Sequence, residues 1–441
     1  MEKNQILKIF GTDYKEMTKR LLHEADLRAL LPGTEKCIGI KPNLVSPSEA
    51  SCGATTHPEV VAGIIEYLQE YGYHRIMIAE GSWVGDRTAD AVAVCSYDVL
   101  AEQYGVIFHD AQKDKSHPVD CAGLELNVCD CVDQMDFLIN VPVLKGHCQT
   151  KITCALKNMK GLLPNSEKRR FHAMGLHKPI AHLSAGIHQD FIVVDHICGD
   201  LDFEDGGNPV VRNCVMAARD PVLVDAYVCY LLHYRTAEVP YVGMAAELGI
   251  GCADLGCAEI WICGREENCP SPAEPRRSEA ADYCSEESED GACAGSSDDR
   301  KNILGAGGLH GCENAVEAGG PHGCESAAGA ERLLWQAGEE LPYAQKVVAV
   351  RDFVEEVESC SACYGYLIPA LDRLRSEGLL DRLHTKICIG QGYRGSEGEL
   401  GIGQCTAKFA HTVKGCPPTE TQIYEFLKGY LLEQTDNAKT N

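Results

Sequence analysis

At 441 residues with 45% apolar side chains, the chain is long enough for two or three domains and can bury a substantial core. Its formal charge of -25, from 65 Asp and Glu against 40 Lys and Arg, argues against nucleic acid or an anionic membrane as the main partner, because both select clustered cations. No apolar run approaches the roughly 20 residues of a membrane span, and Met1-Glu2-Lys3-Asn4-Gln5 lacks the apolar stretch of a signal peptide, so the expectation is a soluble, cytoplasmic protein.

In the first domain, residues 1–265, β-rich apolar runs alternate with amphipathic stretches from about residue 35 onward, which predicts an α/β fold: mixed or mainly parallel sheet covered by helices. Strands are expected at Cys37 to Lys41, Arg75 to Glu80, Phe137 to Val141, Phe191 to Asp195 and Glu259 to Cys263. Thr56-His57-Pro58-Glu59 has the spacing of a capping box and should open a helix with Val60, Val61, Ile64, Ile65 and Leu68 inward. Asp220-Pro221 should open another, with Val224, Val228 and Leu231 inward.

Polar residues gather at the expected strand ends, where α/β sheets place ligand crevices. Lys41 and Asn43 follow the first strand, Thr56 opens a helix, and Glu80 closes the second strand. Lys145, His147, Lys157, Asn158, Lys160, Lys168 and His172 come next, and Asp195 ends a later strand. In an acidic protein this run of lysines and histidines reverses the charge locally, which suits a small anionic substrate. Lysine is rarely buried, so the cluster reads as functional. The expected catalytic set is His147, Lys157, His172 and Lys41; Asn43, Thr56, Glu80, Lys145, Asn158 and Lys168 are expected to bind ligand.

Residues 266–335 are rich in Ser, Glu, Asp, Gly and Ala, with few bulky apolar side chains to offset the entropy of ordering, and read as an acidic linker or disordered insert. They hold an imperfect repeat around His310-Gly311-Cys312 and His322-Gly323-Cys324; a duplicated linker is preferred over a soft-metal site. Residues 336–441 read as a smaller, cysteine-rich α/β region with strands at Lys346 to Val350 and Lys386 to Ile389, and helices around Leu367 to Leu374 and from Glu420 to Leu432.

The chain has 24 cysteines. In a cytosolic setting they point to metal or redox chemistry rather than a disulfide framework. Cys95, Cys154, Cys198, Cys214 and Cys229 lie in apolar segments and read as small core hydrophobes. Cys360-Ser361-Ala362-Cys363 can converge two thiolates on one centre from a single turn, and Cys405 and Cys416 stand in Gly-flanked turns, the second followed by Pro417. These four are the expected ligands of a [4Fe-4S] cluster. All-thiolate zinc is the competitor, since it needs the same ligand number. Cys388 alternates with apolar residues and reads as core.

Lys41-Pro42-Asn43-Leu44-Val45, Thr55-Thr56-His57-Pro58-Glu59, Asp136 to Pro142, Lys145-Gly146-His147, Ala155 to Gly161 and Asp220 to Asp225 resemble domain-of-unknown-function family 362 across residues 35–265. The resemblance implies iron-sulfur ligands in an insert or tail and leaves the activity open. The run His147, Lys157, His172 is also similar to a segment of the nickel-pincer lactate racemase family. That similarity implies His147 as an acid/base, Lys157 as a cofactor anchor, His172 as a ligand to a nickel cofactor and His109 as a second acid/base. Ala155-Leu156 stand where that family has a Gly-Gly pair, and the cysteine-rich region replaces its C-terminal domain. The leading expectation is a redox enzyme served by a ferredoxin-like electron donor. A non-enzymatic electron carrier or metallocluster scaffold and a racemase-like proton-transfer enzyme are the alternatives. No dinucleotide fingerprint or Walker loop indicates NAD(P) or ATP.

Overall fold

The computed structural model describes residues 1–265, 331–333 and 346–439. Nine strands form one sheet in the order Glu331–Leu333, Glu259–Arg265, Gln5–Phe10, Pro209–Ala218, Phe191–Asp200, Phe137–Val141, Ile38–Pro42, Ile76–Glu80, Ile107–Asp110. From Phe191–Asp200 to Ile107–Asp110 every neighbouring pair is parallel. The long strands Phe191–Asp200 and Pro209–Ala218 pair antiparallel, as does Pro209–Ala218 with Gln5–Phe10.

Alternation along each strand divides the core in two. Met77, Ala79, Ile192, Val194, Met216 and Ala218 face one apolar layer, and Ile76, Ile78, Phe191, Val193, Val215 and Ala217 the other. The first layer is closed by the helices His177–Gly186, Pro221–Leu231 and Pro240–Glu247, the second by Tyr14–Glu24, Pro58–Glu70 and Tyr97–Tyr104. The expected α/β class is what the chain adopts. Its parallel strands end together, so Lys41, Glu80 and Asn140 arrive at one rim.

Several local expectations change. Thr56 does not cap the helix Pro58–Glu70; His57 holds the N-cap position, and Thr56 Oγ1 instead accepts from Asn43 N and donates to Val141 O, both at 2.8 Å. The hydroxyl joins two strand ends, a tertiary use that displaces the local one. Lys346–Val350 is a helix rather than a strand. Val347 N donates to both carboxylate oxygens of Asp202, at 3.1 and 2.9 Å, so an acceptor from another element holds the start of this segment against its β-branched composition. Glu331–Leu333 lies within the stretch read as linker and pairs antiparallel with Glu259–Arg265. The rest of 266–335, with both His-Gly-Cys copies, lies outside the described residues.

The C-terminal region has its own parallel sheet, ordered Val354–Glu356, Ile387–Ile389, Leu400–Ile402, His411–Val413, packed by the helices Ser361–Ser376 and Glu420–Lys439. Phe203 of the large unit is buried in its core. Gly365 is pressed against Trp83, where a Cβ would come 2.8 Å from the indole ring, and Tyr366 meets Trp83 edge-on at 5.3 Å. The cysteine-bearing helix thus docks on the rim of the large sheet.

Asp220 caps the helix Pro221–Leu231 as expected, accepting from Val222 N and Leu223 N at 2.8 and 3.0 Å, and its second oxygen takes Cys252 N at 2.8 Å. Asp220→Ala should cost about 1–2 kcal/mol and lower the denaturant midpoint without changing the slope, read by urea unfolding.

Candidate functional site

The rim is built on buried polar groups that hold one another. Lys41 Nζ donates to Glu80 Oε2 at 2.5 Å and to Pro42 O at 2.7 Å. Glu80 also accepts from Leu44 N and Gly81 N. Asn158 donates to Asn140 Oδ1 and accepts from Asn43 Nδ2, at 2.7 and 2.9 Å. Lys145 Nζ donates to Asn43 Oδ1, Ala54 O and Glu204 O. Three acceptors fill the capacity of an ammonium. Lys41, Thr56 and Lys145 therefore stand behind the wall and fix its shape.

Asn43, Glu80, His147, Lys157, Asn158, Lys168 and His172 line the cavity they enclose, together with Trp83, Lys160, Gly161, Glu204 and Ala362. Its volume is about 90 Å³, well below the roughly 300–1,000 Å³ of sites for drug-sized ligands. An ion or a small acid is the scale of ligand it takes. Gly161 is required here because a Cβ would overlap Glu80 and Lys41. His109 is not in this wall; it pairs with Asp114 at 3.1 Å near Cys131.

Charge is unbalanced in the cavity. Burial pushes the Lys157 ammonium down to about 8, against the opposing charge of Glu204, and pushes Lys168 down to about 8 against Glu80. Burial and the neighbouring Lys157 bring Lys145 to about 7. Lys160 lies well below its ordinary value through burial, with Lys157 and Lys168 adding to the effect. His147 and His172 are likewise held well below, by burial first and then by nearby lysines, so both rings are neutral. Lys157 donates to Thr153 Oγ1 at 3.3 Å, and Lys160 Nζ lies 3.4 Å from His172 Nε2. Neither ammonium meets a carboxylate in these contacts, and an entering anion would supply one.

Sequence reading missed Glu204 and Cys148. Glu204 Oε2 accepts from Cys148 N and its Oε1 from Cys148 Sγ, both at 3.0 Å, and Oε1 lies 3.4 Å from His147 Nε2. His147 Nδ1 accepts from Gln149 N and Thr150 N, so Nε2 carries the proton. The acidic run Asp200 to Asp205 after a long strand was the available signal for Glu204. Cys148 directly follows the Lys145-Gly146-His147 motif.

The C-terminal region closes the cavity. Ala362, between Cys360 and Cys363, is in the wall, and Gln149 Nε2 donates to Glu356 Oε1 and Ser359 Oγ, at 2.7 and 2.8 Å. Cys360 is the N-cap of the helix Ser361–Ser376, and Cys363 lies in its first turn. The structure brings Cys405 and Cys416 to them. Burial raises the Cys363 thiol, and Cys360, Cys416 and Cys405 raise it further. Gly403, at φ +90°, would place a Cβ 3.6 Å from Cys363 Sγ, so glycine keeps both the turn and the space beside the thiols. Arg394 hydrogen-bonds Cys405 and feels Cys360 and Cys416. Cys388 sits on its expected strand, opposite Glu355 and Gly401. Among the described residues, two groups bring three ligand atoms within 4.8 Å of one another: His147, Cys148 and Glu204, and His109, Asp114 and Cys131.

The fold and rim define an α/β protein with a lysine-rich cavity under a cysteine-bearing lid. Residues 38–230 match the model of the family described as domain of unknown function (DUF362), and the resemblance seen in the motifs of the first domain therefore holds. The chain is 22% identical over 224 residues to the thylakoid-associated protein sll1697 of Synechocystis sp. (strain ATCC 27184 / PCC 6803 / Kazusa), a match covering 48% of this chain and 67% of that one. It is similar to the lactate racemase apoprotein from Thermoanaerobacterium thermosaccharolyticum at 13% identity and a TM-score of 0.35, over 53% of this chain and 57% of that one. No helix among the described residues is long and apolar enough to cross a membrane.

Because burial pushes Lys157 and Lys168 down to about 8, a bound anion should raise both and draw protons in. Phosphate affinity should hold below pH 7 and fall as pH rises through 8 to 9, by up to about tenfold per unit for each lysine that must be recharged. Titration calorimetry in two buffers of different ionisation enthalpy would show proton uptake. Lys157→Ala should abolish phosphate binding and leave the fold unchanged by circular dichroism.

Proposed function

We propose that this protein is a cytoplasmic redox enzyme that binds a [4Fe-4S] cluster through Cys360, Cys363, Cys405 and Cys416 and acts on a small anionic substrate in the adjoining lysine–histidine cavity. The observation that carries this reading is the position of Ala362: the turn bearing two of the four thiols is itself a wall of the cavity. When bound there, the cluster would supply one-electron transfer next to the substrate. A formed pocket beside the thiols favours an enzyme over an electron carrier, and a ferredoxin-like protein is the class of donor such a centre takes.

The donor set suits the cluster. Four thiols come from three separate turns, glycine leaves room beside them, and Pro417 follows the last. A tetrahedral zinc with Zn–S near 2.3 Å needs sulfurs about 3.8 Å apart. Metal analysis separates the two, since both take four thiolates.

The chain's own residues have distinct tasks. Lys157 and Lys160 neutralise and orient the anion, and Lys168, held by Gly81 O and Ser82 O at 2.8 and 2.9 Å, sets the far side. His147 offers Nε2–H as a hydrogen-bond donor. The Lys160–His172 contact gives a path for a proton, because burial makes the Lys160 ammonium readier to release one and the neutral His172 ring can accept it. The Trp83 and Ala362 walls exclude water.

A second reading rests on His147, Cys148 and Glu204, whose ligand atoms are close enough for one ion. A nickel ion held there, in place of the cofactor ligated by His172 that the similarity implied, would make the protein a racemase-like proton-transfer enzyme.

Anaerobic purification with iron, sulfide, zinc and nickel quantitation and EPR tests both readings. About four irons and four sulfides per chain are expected, with loss of iron in the Cys360→Ser, Cys416→Ser double variant. Zinc without iron, or full iron retention in that variant, would overturn the assignment, and stoichiometric nickel would select the second reading.

A further inference from the structure

A second cluster of reactive side chains shares no residue with the lysine cavity's wall. Asp195, inside the strand Phe191–Asp200, is buried and accepts three hydrogen bonds: Oδ2 takes His57 Nδ1 and His57 N, both at 2.8 Å, and Oδ1 takes Ile197 N at 3.0 Å. These fix the His57 ring with Nδ1–H on the carboxylate and turn Nε2 toward Cys198 Sγ, 3.6 Å away. Cys198 also faces Ala50 O and Ser51 O, at 3.4 and 3.8 Å. Both His57 and Cys198 line a separate cavity of about 470 Å³. Nucleophile, base and orienting carboxylate in this order are the arrangement that activates a thiol.

We propose that Cys198, His57 and Asp195 form a second catalytic centre, in which the Cys198 thiol takes the acyl group of a small, uncharged thioester. The walls decide the substrate class. Glu49 and Glu59 stand in the lining and disfavour an anionic acyl donor, whereas Val94 and Val211, 44% and 63% exposed, offer an apolar rim for an acyl chain. Pro58 and Glu59, in the first turn of the 13-residue helix Pro58–Glu70, lie in the same wall. Pro58 carries no N–H, His57 N donates to Asp195 and Val60 N to His57 O, so Glu59 N is the first-turn donor left for the negative charge that develops on a carbonyl oxygen.

The chemistry balances within these three residues and water. The Cys198 proton rests on His57 Nε2 as an imidazolium–thiolate pair, and Sγ bonds to the carbonyl carbon. The bond from that carbon to the leaving sulfur breaks, and the His57 proton goes to the leaving thiolate. Water then attacks the acyl–Cys198 bond, gives its proton to His57 and releases a carboxylic acid, which restores the pair. Asp195 is a positioning residue. Against the burial that lowers it, the charge and hydrogen bond of Asp195, with Cys198 adding to them, raise His57 to about 10, which keeps the ring in the imidazolium form that pairs with Sγ.

The test uses the full-length protein with S-ethyl thioacetate and, separately, iodoacetamide, followed by peptide mass spectrometry. Cys198 should be acetylated and should alkylate about tenfold or more faster than Cys95, which lines the same cavity, and than the exposed Cys252. His57→Gln and the isosteric Asp195→Asn should each slow Cys198 by about tenfold and leave Cys252 unchanged. Cys198 reacting no faster than Cys252 in the unmodified protein would overturn the proposal whether or not either variant folds. An unchanged rate in folded His57→Gln would do the same and leave Cys198 a packing thiol.

Discussion

Five lysines brought to one rim of a parallel sheet, with too few carboxylates to neutralise them, are the constraint around which this protein is arranged. Lys41 is matched by Glu80, and Lys145 is consumed by three oxygens, so these two are the struts of the rim. Lys157, Lys160 and Lys168 make their hydrogen-bond contacts to a hydroxyl, a histidine and two carbonyls rather than to a carboxylate, and each is pulled below its ordinary titration range by burial. Desolvating an ammonium without a partner is costly, and the cost is tolerable only if a ligand repays it. An anionic ligand, as proposed, would offset that cost.

The C-terminal region bears on that constraint directly. Its helix Ser361–Ser376 meets the cavity at Ala362, and Cys360 lowers the cost of Lys160 while Lys160 lowers that of Cys360 as a thiolate. Thiolate ligands of a metal centre would thus add negative charge beside the positive cavity, coupling occupancy of one to the other. The docking is specific rather than greasy: Asp202 holds Val347 N, Gln149 holds Ser359, and Gly365 makes room for Trp83.

Much of this was legible in the chain itself. The continuous apolar runs in Phe137 to Val141 and Ile76 to Glu80, the proline-started helices, and lysines placed just beyond strands are local signals with local physical causes. They sufficed for the α/β class and for the seven predicted residues that line the cavity. The Cys360/Cys363 pair was legible for the same reason, since one turn fixes both. Short-range reasoning failed where a long-range acceptor competed. Thr56 had the spacing of a cap but is spent on Asn43 and Val141, and Lys346–Val350 had the composition of a strand but follows Asp202 into a helix.

Cys198 shows the division most plainly. Its apolar neighbours Ile197 and Val194 mark it as a core thiol, and its burial agrees. Its partner His57 lies 141 positions away in the chain, however, and the Asp195 that orients the ring is on the strand beside it. Periodicity, turn chemistry and ligand spacing act over a few residues, so the sequence by itself determined the strands, the helix starts and the residue types available at each strand end. Which lysines kept their charge unmatched, which carboxylate met His147, and which cysteines faced one another depend on pairings across a hundred residues or more, and only the packed sheet with its docked C-terminal region decided them.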